Sequence, residues 1–381
     1  MKFSRAFEAP RPAAIRELFP YMSRPDMISF AGGYPSADVF DAEGLHAAME
    51  RAMQAPPGAW LQYGATEGEV ALREALSAWM GRRGIAAAPD RIVVTSGSGQ
   101  ALDLVLKVLL DPGDTILVER PTYSTALQAM RLAGARPQGV NLDELENVQG
   151  KALYIVPTFA NPSGATLTLE QRKRILEIAL RKRLYIIEDD AYGDLRFDGA
   201  PVPPLAALAK DAGAGEYVIY LSTLSKIVAP GLRVGWMTAA PEVLRRCAIA
   251  KQAADLCTSP WVQLAAAQYL KSGIRLDRIV AAYRERARAM AQALQRELSG
   301  KLVFAPPQGG MFIWGTLPTG MDASALLRTA IEEKVMYVPG ASFYAEAPDP
   351  RTLRLCFSMT APERIAVGVE RLANAVRIQA S

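Results

Sequence analysis

Histidine and cysteine are scarce in this chain. Among 381 residues there is one histidine, His46, and there are three cysteines, Cys247, Cys257 and Cys356. The cysteines form no CxxC pair and are odd in number, which argues against a disulfide framework and against a zinc site. A Ser-His-Asp or Cys-His mechanism would have to use His46. That residue sits in an Ala-rich stretch of helical character and reads as a helix-face residue, so no metal or nucleophilic histidine centre is expected. Long apolar runs are missing too. The start, MKFSRAFEAPRPAAI, has no apolar signal segment, and no run approaches a membrane span. The expectation is a soluble cytoplasmic protein. Charge is near balance at a formal +4, without the concentrated basic stripe of a nucleic-acid binder. The runs Arg172-Lys173-Arg174 and Arg181-Lys182-Arg183 flank apolar residues at helical spacing and read as a solvated helix face.

Half of the residues are hydrophobic, enough for a substantial core, and the length suits a large domain with a smaller one. Short β-branched runs alternate with helical periods through the middle of the chain. Candidate strands are Ile92–Thr95, Thr115–Val118, Leu153–Val156, Leu184–Glu188, Tyr217–Leu221 and Val234–Thr238. Helices are expected at Gly99–Leu110, Tyr123–Ala133 and Leu169–Lys182, the last opened by a capping box of Thr168 and Gln171. This alternation predicts an α/β fold with a mostly parallel sheet covered on both faces, and a ligand at the carboxyl ends of its strands. A long helical stretch, Pro260–Leu298, leads to a C-terminal unit. There, strands Met311–Gly315 and Arg354–Phe357 surround a helix near Ala323–Lys334. The expected division is an N-terminal segment, 1–40, packing on a small domain at 286–381, with the large domain at 41–285.

Four motifs carry candidate chemistry. Thr95-Ser96-Gly97-Ser98-Gly99-Gln100 follows a strand and opens a helix, where free N–H groups and the helix dipole favour a phosphate. It resembles a dinucleotide fingerprint with Leu102 at the third small position and Glu119 as the later acid, so a nicotinamide dehydrogenase competes at this point. A tight turn without ligand is the plain alternative. Asn161-Pro162-Ser163-Gly164 reads as a turn beyond a strand, with Asn161 a candidate ligand contact. Glu188-Asp189-Asp190-Ala191-Tyr192 puts three acids at a strand's carboxyl end, which is costly unless they are solvated, paired or ligand-bound. Finally, Leu221–Trp236 holds Lys226 among small hydroxyl residues, with Arg233 beyond a Pro230-Gly231 turn. Confinement lowers a lysine's pKa and frees its amine for a Schiff base. Arginine's fork suits a phosphate. An amine, an anion cradle, an acid and a hydroxyl or amide donor together match the needs of pyridoxal phosphate, whose protonated ring is an electron sink.

On these residues the chain resembles the fold-type I pyridoxal-phosphate aminotransferases, and among them the 2-aminoadipate and kynurenine aminotransferases. The matching blocks are Ile28–Pro35, Leu61–Gly68, Thr95–Leu104, Asn161–Gly164, Glu188–Tyr192, Ser222–Trp236 and Leu353–Ser358, in the family's order over essentially the whole length. The resemblance implies a large domain with a mostly parallel seven-stranded sheet flanked by helices, plus a smaller α/β domain. It implies that Lys226 anchors the cofactor and moves the substrate proton. Asp189 would pair with the ring nitrogen, Tyr192 and Asn161 with the ring oxygen, and Tyr123 would stack on the ring. Ser98, Gly99, Gln100, Ser225 and Arg233 would form the phosphate cup, with Thr223 as an added hydroxyl. Tyr63 would reach the phosphate of a partner subunit in a homodimer. Arg354 would clamp the substrate carboxylate, and Gly33 would offer a backbone N–H to it.

Arg16 matches a family arginine near the substrate side chain; an exposed helix residue is the alternative. Two departures stand out. Gly99 replaces a frequent glutamine, and Tyr34 replaces a leucine beside the substrate, which bears on substrate choice. The implied reaction passes an amino group from an L-amino acid to a 2-oxo acid, 2-oxoglutarate by family habit, in ping-pong half-reactions. A lyase or decarboxylase of the same fold remains open. So does a ligand-sensing regulator, although Ile28–Pro35 starts too early to leave room for a preceding helix-turn-helix.

Overall fold

A computed structural model describes residues 2, 7, 18–22 and 24–380. Arg16 lies outside the described residues. The alternating middle of the chain forms a sheet of seven strands: β1 Ile92–Thr95, β2 Thr115–Glu119, β3 Arg136–Val140, β4 Ala152–Ile155, β5 Tyr185–Asp189, β6 Val218–Thr223 and β7 Gly235–Thr238. Their spatial order is β1-β7-β6-β5-β4-β2-β3. Only β7 runs against its two neighbours; the other pairings are parallel. Strands β1, β4 and β6 are buried along their whole lengths, as expected where helices cover both faces.

Strand β3 is not among the expected strands. Its sequence, RPQGV, carries a proline and a glycine and no aliphatic run. It forms because it lies at the sheet edge, largely solvated, where a proline costs no central ladder bond.

The three expected helices fold as Ser98–Leu109, Ser124–Leu132 and Leu169–Lys182. The capping box is present: Gln171 N–H donates to Thr168 Oγ1 at 3.2 Å, and Thr168 N–H donates to Gln171 Oε1 at 2.9 Å. One expectation on this helix fails. Arg172 is not solvated but fully buried. Its guanidinium donates to the carbonyls of Leu167, Pro157 and Pro203 and to the Thr158 hydroxyl. These acceptors make burial of a permanent cation tolerable, and they fix the turn Pro157–Thr158 that leads to Asn161.

The stretch Pro260–Leu298 is two helices, Pro260–Ser272 and Leu276–Glu297. Gly273 separates them with φ 92°, a left-handed conformation that glycine adopts without steric cost. The C-terminal unit is an antiparallel sheet of Val303–Phe304, Phe312–Thr316, Val338–Pro339 and Thr352–Cys356, with the helix Ala323–Glu332. The N-terminal strand Ile28–Ser29 pairs in parallel with Val335–Met336. Phe30 N–H then donates to Met336 O, and Cys356 N–H donates to Phe30 O, both at 2.8 Å. Segments from opposite ends of the chain thus share one edge of the central cavity. Among the described residues no helix is long and apolar enough to cross a membrane, and no cluster of three metal-ligating side chains occurs.

Candidate active site

A cavity of about 580 Å³ opens beside the carboxyl ends of the parallel strands. Its floor comes from β5. Side chains alternate along a strand, and here the alternation sorts three acids. Glu188 and Asp190 face away from the cavity. Glu188 accepts the N–H groups of Leu205 and Ala206, each at 2.8 Å. Asp190 pairs with Arg83 and accepts the Tyr220 hydroxyl at 2.9 Å. Asp189 alone lines the cavity. The Tyr154 hydroxyl, from β4, donates to Asp189 Oδ2 at 2.7 Å. The other oxygen, Oδ1, is buried without a partner. Burial pushes this carboxyl up to about 6; the Tyr154 hydrogen bond opposes the rise, Asp190 adds to it, and Lys226 opposes it.

Lys226 closes a single 3₁₀ turn, Leu224–Lys226, directly after β6. Its Nζ donates to Gly33 O at 2.9 Å. Burial lowers its pKa to about 8, with the cations of Arg354 and Arg233 assisting and Cys356 and Asp189 opposing. A confined amine therefore stands in the same cavity as a buried carboxylate that has one unused oxygen.

A rim of donors lies at one side. Ser98 and Gly99 begin the helix Ser98–Leu109, and Gly97 caps it with φ 88°. Ser225 N–H donates to Thr223 Oγ1 at 3.1 Å. Arg233 donates to Ser96 O at 3.0 Å and to Pro230 O at 3.2 Å. Close approach explains two glycines here. A side chain at Gly97 would meet the Arg233 guanidinium, and one at Gly235 would meet the backbone of Gly97 and Ser98.

On the opposite side Arg354 is buried. It donates to Asn161 Oδ1 at 2.8 Å and to Ala31 O at 2.6 Å. Its guanidinium lies 4.4 Å from the Phe312 ring centre and 5.0 Å from that of Phe343, and Nε has no partner. Gly33, Tyr34, Tyr123 and Tyr192 complete the walls. Burial raises both Tyr123 and Tyr192 above the ordinary phenol range.

Of the residues singled out from the sequence, Ser98, Gly99, Tyr123, Asn161, Asp189, Tyr192, Thr223, Ser225, Lys226, Arg233, Arg354, Gly33 and Tyr34 all line this cavity. Two do not. Tyr63 is 77% exposed and lies elsewhere. The Gln100 side chain turns behind the rim, accepting Ser96 N–H at 2.7 Å and donating to Asp255 at 2.7 Å. Sequence reading missed Tyr154, Thr125, Gln128 and Phe343, which also line the cavity. For Tyr154 a signal existed: it is the one hydroxyl in the aliphatic strand Ala152–Ile155.

These residues fit pyridoxal phosphate. The orphaned Asp189 oxygen can accept a ring N–H, the amine can take an aldehyde, and the rim can take a phosphate. Fold and cavity together define a fold-type I pyridoxal-phosphate enzyme. The sequence profile of aminotransferase class I and II matches residues 25–372. A 2-aminoadipate transaminase of Thermus thermophilus is 42% identical over 96% of this chain and 94% of its own. An aromatic-amino-acid aminotransferase of Thermococcus litoralis is 38% identical over 98% and 94%. A solved alpha-aminoadipate aminotransferase of Thermus thermophilus, complexed with N-(5'-phosphopyridoxyl)-L-leucine, superposes with a TM-score of 0.91. It is 40% identical over 98% of this chain and 97% of that one. The chain belongs to the class I and II aminotransferases, and its chemistry is pyridoxal-phosphate-dependent transamination.

Proposed function

We propose that this protein moves the amino group of an L-amino acid, 2-aminoadipate or an aromatic amino acid among the candidates, to a 2-oxo acid such as 2-oxoglutarate. The named activities of the two relatives support these donor classes. The observation that carries the site assignment is the pairing of a confined amine, Lys226, with the unpartnered oxygen of Asp189 in one cavity.

When bound, pyridoxal phosphate supplies an electron sink for the bonding pair of the substrate Cα–H bond. Asp189 holds a proton at the ring nitrogen by placing a buried negative charge beside it. Tyr192 and Asn161 serve the ring oxygen, and the Tyr123 ring covers one face. Ser98, Gly99, Ser225 and Arg233 hold the phosphate, with the Thr223 hydroxyl fixing the Ser225 turn; Gln100 acts from behind the rim. Arg354 grips the α-carboxylate with the N–H groups that Asn161 and Ala31 leave free, and the Gly33 backbone borders that carboxylate. Lys226 Nζ would hold the bound group at its aldehyde carbon, water being the leaving group. Freed when the substrate amine takes its place, the neutral Lys226 amine would accept and carry the substrate Cα proton. The net result would be a 2-oxo acid from the donor and an amino acid from the acceptor. Tyr34 borders the space for the substrate side chain, and Arg16 is assigned to the same region by the family resemblance alone.

The active unit is a homodimer in this reading, with Tyr63 reaching the partner's phosphate site. Support comes from exposed Leu61, Tyr63 and Val70, and from Trp261 on the helix Pro260–Ser272 against which Gly58–Leu61 packs. The chain divides into a large domain, 41–285, and a small domain, 286–381, joined by segment 1–40; the pairing of Ile28–Ser29 with Val335–Met336 supports this. A cytoplasmic location agrees with three unpaired cysteines.

The test mixes the yellow cofactor-loaded protein with a panel of amino acids and follows bleaching of the visible band. The preferred donor bleaches it fastest and yields pyridoxamine phosphate. A Lys226→Ala protein that transaminates at the wild-type rate would sink the assignment.

A further inference from the structure

Lys251 is a lysine whose side chain is completely buried, on the helix Pro241–Ala254, outside the cavity. Desolvating an ammonium is costly unless it is paired. Lys251 Nζ donates to Asp255 Oδ1 at 2.6 Å and lies 3.4 Å from Gln100 Oε1. Gln100 Nε2 donates to Asp255 Oδ2 at 2.7 Å. The circuit ends on one residue, Ser96. Its N–H donates to Gln100 Oε1 at 2.7 Å, and its hydroxyl donates to Asp255 Oδ2 at 3.3 Å. Its carbonyl accepts from Arg233 at 3.0 Å. Every polar group of Ser96 is therefore held, from one side by the buried pair and from the other by the rim arginine.

Ser96 is the last residue before the left-handed Gly97, after which Ser98 and Gly99 open the helix that borders the rim. Only a few backbone torsions separate Ser96 from these donors, so fixing Ser96 fixes where they point. We infer that Gln100, Lys251 and Asp255 are positioning residues that lock the phosphate loop from behind. The inference rests on the proposed phosphate site. It also accounts for Gln100, whose side chain turns away from the cavity. Preorganised donors need this kind of support, because a loop about an ångström out of place loses much of its binding.

The experiment compares two aldehydes that differ only in the phosphate. Wild-type protein, Gln100→Ala and Lys251→Met are freed of cofactor and titrated with pyridoxal phosphate and with pyridoxal, following the visible band formed at Lys226. The expected result is binding of pyridoxal phosphate weakened about tenfold or more, in line with loss of hydrogen bonds to charged groups, while pyridoxal binding changes less than about twofold. A general loss of structure would weaken both equally. If the ratio of the two affinities is unchanged in the variants, the positioning role is overturned. Should Lys251→Met fail to fold, Gln100→Ala decides alone, because it leaves the Lys251–Asp255 pair intact. A wild-type protein that forms no band with pyridoxal phosphate would instead refute the proposed function itself.

Discussion

Lys226 titrates near pH 8 in this fold because its ammonium is buried and faces the cations of Arg354 and Arg233. Only the neutral amine attacks an aldehyde. At pH 7 a group with a pKa of about 8 is neutral in about one molecule in eleven; at the ordinary lysine value the fraction is about one in 3,000. The structure therefore raises the reactive fraction at neutral pH by roughly 300-fold. The assay is stopped-flow mixing of cofactor-free protein with pyridoxal between pH 6 and 10. Below the break, the second-order rate should climb about tenfold per pH unit, and near pH 8 it should level off. Arg354→Met removes a neighbouring cation that holds the value down, so its break should move to higher pH. By linkage, the unfolded chain binds more protons than the folded one from about pH 8 to the ordinary lysine range. Stability of the cofactor-free protein should then rise with pH across that window. A rate that keeps climbing tenfold per unit past about pH 9.5 would refute the reasoning, since it would mean the amine is solvated.

Two further outcomes follow from contacts in the cavity wall. Tyr154→Phe leaves both oxygens of Asp189 without a protein donor. Loss of a hydrogen bond to a charged acceptor should raise that carboxyl further by about 1–2 pH units. In cofactor-free protein the pH below which pyridoxal phosphate binding weakens should shift upward, and an unmoved limb would contradict the assigned role. Gly235→Ala places a methyl against the backbone of Gly97 and Ser98. It should cost about 1–3 kcal/mol of stability in a denaturant titration, as overpacking does, and should loosen the phosphate loop. Gly231→Ala, where nothing stands within 4 Å, is the matched control and should be neutral.

The sheet was legible where burial on both faces writes itself as an aliphatic run, as in Ile92–Thr95 and Val218–Thr223. It was illegible at Arg136–Val140, because an edge strand needs neither aliphatic residues nor freedom from proline. The site was legible where several motifs had to be read together, since Lys226, Asp189, Asn161 and Arg233 occupy loops and strand ends. What pattern alone could not tell was direction. Alternation sends Glu188 and Asp190 to one face and Asp189 to the other, but only the packed partners Arg83 and Leu205 show which face is which. Arg172 looked like a surface cation because its acceptors are mainly backbone carbonyls, which no sequence pattern displays. Gln100 occupies a phosphate-loop position and nonetheless faces away, since Asp255, 155 residues further on, claims its amide.

Arg354 arrives at its task already engaged. Its two terminal nitrogens each give one N–H, to Asn161 Oδ1 and Ala31 O, so a second N–H on each, and the partnerless Nε–H, are left for an incoming ligand. A neutral amide would bring those donors only a dipole and gain little. A carboxylate brings a full charge to a buried cation and gains more. Under the proposed assignment, the standing bonds aim the fork, and the buried charge screens out uncharged look-alikes, such as amino-acid amides, without any clash against them. The two acceptors sit on the segments before β5 and after Ile28–Ser29, so one guanidinium ties two distant stretches of chain together at the point where the substrate arrives.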